Sequence, residues 1–137
     1  MHNFRMPLLY FSPDWSLLLV RLVLGMVMLH HGWPKFKNLK ANAENFKGMG
    51  FHPGIFWGTI VAVTEFLGGF GIILGIWAPL VAAFMAVDMT VAIIWKLFKW
   101  HEPLKNCELE FALLALSVLL FSVGAGAYSL ISFSYIY

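Results

Sequence analysis

Charged side chains are scarce in this sequence, and their scarcity excludes an ordinary soluble domain. Only 12% of the 137 residues are charged, whereas about one quarter of a typical soluble domain is. Hydrophobic residues make up 61% of the chain, and a chain this short cannot bury so much apolar surface in a water-soluble core. We therefore interpret residues 1–137 as one integral membrane domain.

Cysteine is almost absent, which limits the redox chemistry available to the chain. Cys107 stands alone, so an internal disulfide, a CxxC pair, an iron–sulfur cluster and a cysteine-ligated zinc site are all excluded. Electrons would therefore need a bound cofactor or a partner.

The net charge of +2, with no basic aromatic patch, gives no indication of nucleic acid as a partner. The opening residues MHNFRMPLLYFSP lack a cleavage site after an apolar core, and we interpret them as a short lead-in.

Long apolar runs are abundant. Each of four runs is near the roughly 20 residues that cross a bilayer core, and they cover about residues 14–33, 54–77, 79–98 and 107–124. Pro34 is expected to end the first of these helices. A backbone in lipid must satisfy its own hydrogen bonds, and these runs are too long and too irregular for barrel strands. The sequence predicts an all-α, integral membrane four-helix bundle. It has a short turn between helices two and three and two longer loops on one membrane face.

The lysines predict how the bundle is oriented. Alternating helices place the loops at 35–53 and 99–106 on one face, and the first loop has room for a short interfacial helix ended by glycines. That face carries Lys35, Lys37, Lys40, Lys47, Lys96, Lys99 and Lys105. The opposite face has Arg5 and little else. The positive-inside rule therefore predicts cytoplasmic loops and extracytoplasmic termini. Gly71 and Gly75 form a GxxxG pair that favours close helix packing within the bundle or in a homo-oligomer.

Three ionisable residues, Arg21, Glu65 and Asp88, fall inside the predicted helices. A charge at the bilayer centre costs about 2.5–3.5 kcal/mol on insertion scales, so such groups face the bundle interior and pair. We expect Arg21 to pair with Glu65 or with Asp88, and the third group to be protonated or hydrogen-bonded. This polar core either sets the helix register or takes part in function, and the residues leave both interpretations open.

A second group of polar residues gathers at the predicted cytoplasmic helix ends. His31 and Glu110 are the candidates for handling protons, because imidazole titrates near neutrality. Lys35, Lys96 and His101 would form the mouth of a cavity. Interfacial anchoring, a quinone headgroup site and metal or haem ligation all compete as explanations. No HxxxH or HExxH pair is present, so no metal ligand is assigned.

Four motifs and their order resemble the DoxX family: RLVLGMVMLHHGWPKF, TEFLGGFGIILGIWAP, CELEFALLAL and GAGAYSL. The resemblance covers about residues 17–130. The matching positions are Arg21, Gly25, His31, Gly32, Lys35, Glu65, Gly68, Gly69, Gly75, Glu110, Gly124, Gly126 and Ser129. The chain departs from the family pattern at Ala78 and Pro79, where a Thr-Arg pair is common, and at Ile131, where an Asp is common.

The resemblance implies a small membrane protein of a bacterial or archaeal cell membrane, working with partner proteins of a redox complex. Relatives are linked to sulfur-compound oxidation, as subunits of thiosulfate:quinone-type oxidoreductases, or to oxidative-stress defence with thiol-handling partners. A quinone is the cofactor this implies. Two other functions fit the same fold: a non-catalytic scaffold for soluble redox proteins, and a small solute carrier or channel using Arg21, Glu65 and Asp88.

Overall fold

The computed structural model describes residues 13–131. The predicted lead-in, with Arg5, and residues 132–137 lie outside the described residues. The helices are α1 (Pro13–Lys37), α2 (Leu39–Gly48), α3 (Gly54–Leu74), α4 (Ala78–Ile94) and α5 (Glu108–Val123). Four of them are long and apolar enough to cross a membrane: α1, α3, α4 with its continuation to Lys99, and α5 with the turn that precedes it. The predicted four-helix membrane fold is confirmed.

The first helix continues past the proline that was expected to end it. Pro34 lies inside α1, which runs one turn further, to Lys37. Proline removes one backbone donor and usually breaks a helix, but two tertiary contacts hold this turn against α3. Lys35 binds Glu65, and the ring of Phe36 stacks on that of Phe66 with centroids 4.7 Å apart. The extra turn keeps Lys35 on the helix instead of in a loop.

The long first loop contains α2, as expected, and the glycine at its end is Gly48. Asn38 caps the helix by accepting a hydrogen bond from the Ala41 N–H at 3.1 Å. Asn42 is buried and donates a 2.7 Å hydrogen bond from its amide to the Gly58 carbonyl on α3.

We use the term loop face for the end of the bundle that holds α2 and the α4–α5 connection, residues 100–107. The termini face is the opposite end.

Two helix pairs, α1 with α3 and α4 with α5, make the most extensive contacts, while α3 and α4 meet less closely. α4 continues as a π-helical turn, Trp95–Lys99, and a 3₁₀ turn, Leu104–Cys107, precedes α5. The apolar centre of the bundle includes Leu24, Met28, Ile72, Met85 and Leu120. The looser contact between α3 and α4 leaves space for the cavity described below.

Glycines bring α1 and α3 together. A Cβ on Gly69 would lie 2.9 Å from the Gly25 carbonyl oxygen and 2.8 Å from Leu29 Cγ, and a Cβ on Gly25 would lie 2.8 Å from the Gly69 oxygen. Gly71 and Gly75, the predicted GxxxG pair, do not bring the backbones of α1 and α3 together. Gly75 ends α3 with a left-handed φ of 71°, and a Cβ on Gly71 would meet nothing closer than 3.5 Å.

Gly69→Ala is expected to destabilise the protein by about 1–3 kcal/mol, because the added methyl group forces α1 and α3 apart. Gly71→Ala is the matched control on the same helix, and it should be neutral or slightly stabilising, because alanine favours the helix. Thermal unfolding in detergent, followed by circular dichroism, compares the two. Equal melting temperatures for both variants would show that the glycine contact does not limit stability.

Candidate functional site

A cavity of about 580 Å³ lies between α3 and α4, and α2 contributes to its wall at the loop face. Apolar and aromatic side chains form most of this wall. Four ionisable residues line it, and three of them come together from three different helices: Lys35 from α1, Glu65 from α3 and Asp88 from α4. We call these three residues the Lys35–Glu65–Asp88 cluster. Thr64 and Lys96 also line the cavity.

Lys35 and Glu65 form a two-oxygen ion pair. The lysine Nζ lies 2.8 Å from each carboxylate oxygen. The glutamate side chain is only 3% exposed, whereas the lysine side chain is 33% exposed and reaches toward the loop face. Burial strengthens such a pair because the surrounding dielectric is low. The pair therefore links the interior of the bundle to its loop-face surface.

The approach of Lys35 to Glu65 depends on Gly32. A Cβ on this glycine would lie 2.5 Å from the Phe66 amide nitrogen and 2.7 Å from Glu65 Cβ. Only glycine lets α1 contact α3 this closely, and Lys35 follows three residues later, about one helical turn on. The spacing in HGWPK thus positions a packing residue and an ion-pairing residue on the same side of α1.

Asp88 completes the cluster from α4. Its carboxyl group lies within hydrogen-bonding reach of the Glu65 carboxylate. Its Oδ2 atom is buried and has no hydrogen-bond partner among the described residues. Leaving a buried polar atom unpaired costs about 1–3 kcal/mol, so the side chain is suited to exchange a hydrogen bond with a bound molecule. The cluster holds one cation and two carboxyl groups.

The prediction that Arg21 pairs with Glu65 or Asp88 is wrong. Among the described residues, Glu65 has its ion pair with Lys35, and Arg21 is buried near the termini face. The guanidinium instead donates hydrogen bonds to four backbone carbonyls, those of Ile72 at 2.9 Å, Ile73 at 2.6 Å, Ala125 at 3.2 Å and Tyr128. The predicted polar core is therefore two separate sites.

Backbone geometry explains the position of Arg21. The last carbonyls of a helix have no partner within the helix, and Ile72 and Ile73 lie in the last turn of α3. Residues 124–131 are not helical and fold back against the same end, where the Leu130 N–H bonds to the Leu74 carbonyl at 3.0 Å. Carbonyls in a membrane need donors from the protein, and guanidinium offers five N–H groups in a fixed fork.

Lys96 and Glu110 meet at the loop face. The lysine Nζ lies 2.6 Å from Glu110 Oε1 and donates a second hydrogen bond to the Asn106 carbonyl at 3.1 Å. Glu110 Oε2 is buried and has no partner among the described residues. Lys96 belongs to the π-helical turn, and such turns occur frequently at functional sites. The structure therefore brings Lys96 and Lys35 to one cavity, and a mouth formed by Lys35, Lys96 and His101 stays a prediction.

The two predicted histidines lie apart from the cavity wall. His31 is exposed on α1, where its ring meets that of His30 edge-on with centroids 6.0 Å apart. His101 is exposed after the π-helical turn and has a left-handed φ of 51°. Proton handling by His31 and Glu110 stays a prediction. Within residues 13–131, no three His, Cys, Asp or Glu side chains are grouped so as to hold a metal ion.

Sequence reasoning missed two features of this site. The Lys35–Glu65 pair was missed because Pro34 was taken as the end of α1, which left Lys35 in a loop. The aromatic group at the loop-face end was also missed: the Phe51 ring lies 4.7 Å from the Trp95 ring and 5.6 Å from the Phe46 ring, centroid to centroid. The first had a usable signal, namely a lysine four residues after His31 at the end of an apolar helix.

These features define a small multi-pass membrane protein with a ligand-sized cavity beside a buried ionisable cluster. The DoxX family model matches residues 16–98, more than half of the chain, and the chain belongs to the DoxX family. The resemblance seen in the motifs is confirmed. The matched range includes Lys35, Glu65 and Asp88 and ends before Glu110. Comparisons with curated proteins and with solved structures give no match.

Proposed function

We propose that this protein is the membrane subunit of a redox system and that its cavity binds the headgroup of a membrane quinone. The observation that carries this proposal is the cavity of about 580 Å³ with apolar walls and the Lys35–Glu65–Asp88 cluster in one wall. Small-molecule sites typically have about 300–1,000 Å³, apolar walls and a few placed polar groups. A quinone has that character, because its ring is apolar and its polarity is confined to the oxygens.

Asp88 is the residue best suited to a quinone oxygen. As a carboxylate, its unpaired oxygen accepts a hydrogen bond from a quinol hydroxyl; when protonated, it donates one to a quinone carbonyl. Lys35 neutralises Glu65 beside it, so one proton on the two carboxyl groups leaves the cluster without net charge. A group that exchanges protons within hydrogen-bond reach of the reacting atom meets the geometric requirement for acid–base catalysis.

The chain's part in the redox step is then binding and proton exchange. Reduction of the quinone takes two electrons from a redox partner protein and two protons, one onto each carbonyl oxygen, and gives the quinol. Apart from Cys107 the chain has no redox-active group of its own. His31 and Glu110 are the proposed groups that exchange these protons with water at the loop face. We propose that this face is cytoplasmic and that the protein resides in a bacterial or archaeal cell membrane.

The two alternatives differ in how the structure bears on them. A carrier with a single pathway through Arg21, Glu65 and Asp88 is disfavoured, since backbone carbonyls take the Arg21 donors at the opposite end of the bundle. A scaffold for soluble redox partners is favoured by the exposed lysines of the loop face, among them Lys40, Lys47 and Lys99. The scaffold needs no ligand in the cavity, so ligand binding separates it from the quinone proposal.

Quinone retention after purification tests the proposal. The protein, expressed in a quinone-producing bacterium and purified in mild detergent, should retain about one quinone per chain, measured by extraction and chromatography. Asp88→Leu should lower this retention about tenfold, because leucine offers no hydrogen bond to the quinone oxygen. Glu108→Gln is the matched control, since Glu108 is an exposed carboxylate at the start of α5. A wild-type protein that retains no quinone, or an Asp88→Leu protein that retains the wild-type amount, contradicts the proposal.

A further inference from the structure

We infer that the cavity opens sideways into the lipid between α3 and α4, and that its ligand is an amphiphile with a long apolar tail lying in that opening. The inference rests on the proposed function and makes it more specific. It names a long-chain quinone dissolved in the membrane as the ligand, in place of a small water-soluble substrate.

The opening is marked by side chains that line the cavity and are also exposed on the outer surface. Val87 is 65% exposed, Phe84 55% and Ile60 38%, and all three belong to the cavity wall. Val87 lies within the span Ala78–Lys99, about 14 Å from one end and about 18 Å from the other at about 1.5 Å per residue. The surface around it at that depth is hydrocarbon, so the cavity meets lipid there.

The ionisable cluster lies directly behind this opening. Asp88 follows Val87 in α4, and its carboxyl group turns inward to Glu65. A ligand with a polar head and an apolar tail suits both the ionisable cluster and the lipid. Its head reaches Asp88, and its tail extends into the lipid past Phe84 and Val87. A small oxyanion would satisfy neither, because it lacks a tail and would meet two carboxyl groups.

Aromatic rings narrow the route from water at the loop-face end, where Trp57 and Trp100 line the cavity and are also exposed. Phe51 lies between α2 and α3, and its ring spans from Trp57 on α3, at 6.2 Å between centroids, to Trp95 on the continuation of α4, at 4.7 Å. α2 is held over this end by the 2.7 Å hydrogen bond from Asn42 to the Gly58 carbonyl. These rings bridge α3 and the continuation of α4 at the loop-face end, whereas Ile60, Phe84 and Val87 stay exposed on the outer surface further along the helices.

Narrowing the opening tests the inference. The probes are a benzoquinone bearing a ten-carbon tail and the same ring without a tail, each titrated into the protein in lipid nanodiscs. Val87→Trp should weaken binding of the tailed quinone at least tenfold relative to wild type and change binding of the tailless ring less than twofold. Leu80→Trp is the matched control, because Leu80 is 54% exposed two helical turns away on the same face of α4 and does not line the cavity.

The outcomes separate the two proposals. If the tailed quinone loses affinity in the Val87→Trp protein and keeps it in the Leu80→Trp protein, the sideways opening is supported. If wild type binds both probes and Val87→Trp weakens both equally or neither, the sideways opening is refuted while the quinone site stands. If neither probe binds to wild type, both proposals fail. Melting temperatures of the two tryptophan variants within a few degrees of wild type confirm that folding is intact.

Discussion

Replacing Arg21 with methionine is expected to lower the stability of the protein by about 3–5 kcal/mol, because buried backbone carbonyls are left without a donor. Methionine fills much of the same space but donates no hydrogen bond. Four carbonyls would lose this donor, two at the end of α3 and two in residues 124–131, although that of Ile72 keeps the Gly75 N–H at 3.2 Å. Each unpaired buried acceptor costs about 1–3 kcal/mol before relaxation, and partial release of residues 124–131 limits the total.

The expected signs of this change are a lower melting temperature in detergent and faster proteolysis within residues 124–131. Arg21→Lys should lie between wild type and Arg21→Met, because an ammonium group has three donors but not the fork that reaches both chain segments. Lys37→Met is the control, since it removes an exposed positive charge from the other end of the same helix. An Arg21→Met protein that melts at the wild-type temperature and resists protease equally would refute this role.

Lys35→Met is expected to have the next largest effect, a loss of about 1–3 kcal/mol. This is less than the 3–5 kcal/mol typical of a fully buried pair, because the lysine side chain is 33% exposed and water screens part of the interaction. The loss arises because Glu65 remains buried beside Asp88 with no cation to neutralise it. Thermal unfolding in detergent measures the effect, with Lys40→Met on the exposed surface of α2 as the control.

The double variant Lys35→Met/Glu65→Met sharpens this prediction. Replacing both partners with apolar side chains removes the uncompensated charge, so the double variant should recover most of the stability that Lys35→Met loses. Coupling energies in such cycles are about 0.5–3 kcal/mol for residues in contact. Strictly additive losses would mean that the two side chains do not form an ion pair in the membrane.

The number and approximate positions of the helices could be predicted from the sequence, but the end of α1 could not. Their number and approximate positions were predictable because apolar length is a local property of the chain. The end of α1 was not, because Pro34 normally stops a helix and the contacts of Lys35 and Phe36 that override it come from α3. The same difficulty concealed the ion pair, since Lys35 had been assigned to a loop.

The motif residues were easier to recognise than to interpret. Gly25 and Gly69 bring α1 and α3 together, Gly32 opens the path to Glu65, and Gly75 ends α3 where its Cβ would lie 2.7 Å from an Arg21 nitrogen. A sequence pattern indicates that such residues matter, but not which neighbour each one meets. The GxxxG spacing predicted that Gly71 and Gly75 pack helices within the bundle or in a homo-oligomer. Within the bundle Gly69 provides the close contact, and the homo-oligomer stays a prediction.

The sequence by itself determined the membrane class, the helical fold and the DoxX family, because hydropathy, run length and motif order are all properties read along one chain. The tertiary structure decided which charges meet. Ion pairing depends on the depth and rotation of each helix, and those are set by contacts between glycines far apart in sequence. It also decided the partners of Arg21, because backbone carbonyls occur at every residue and a sequence does not indicate which of them will lack a donor.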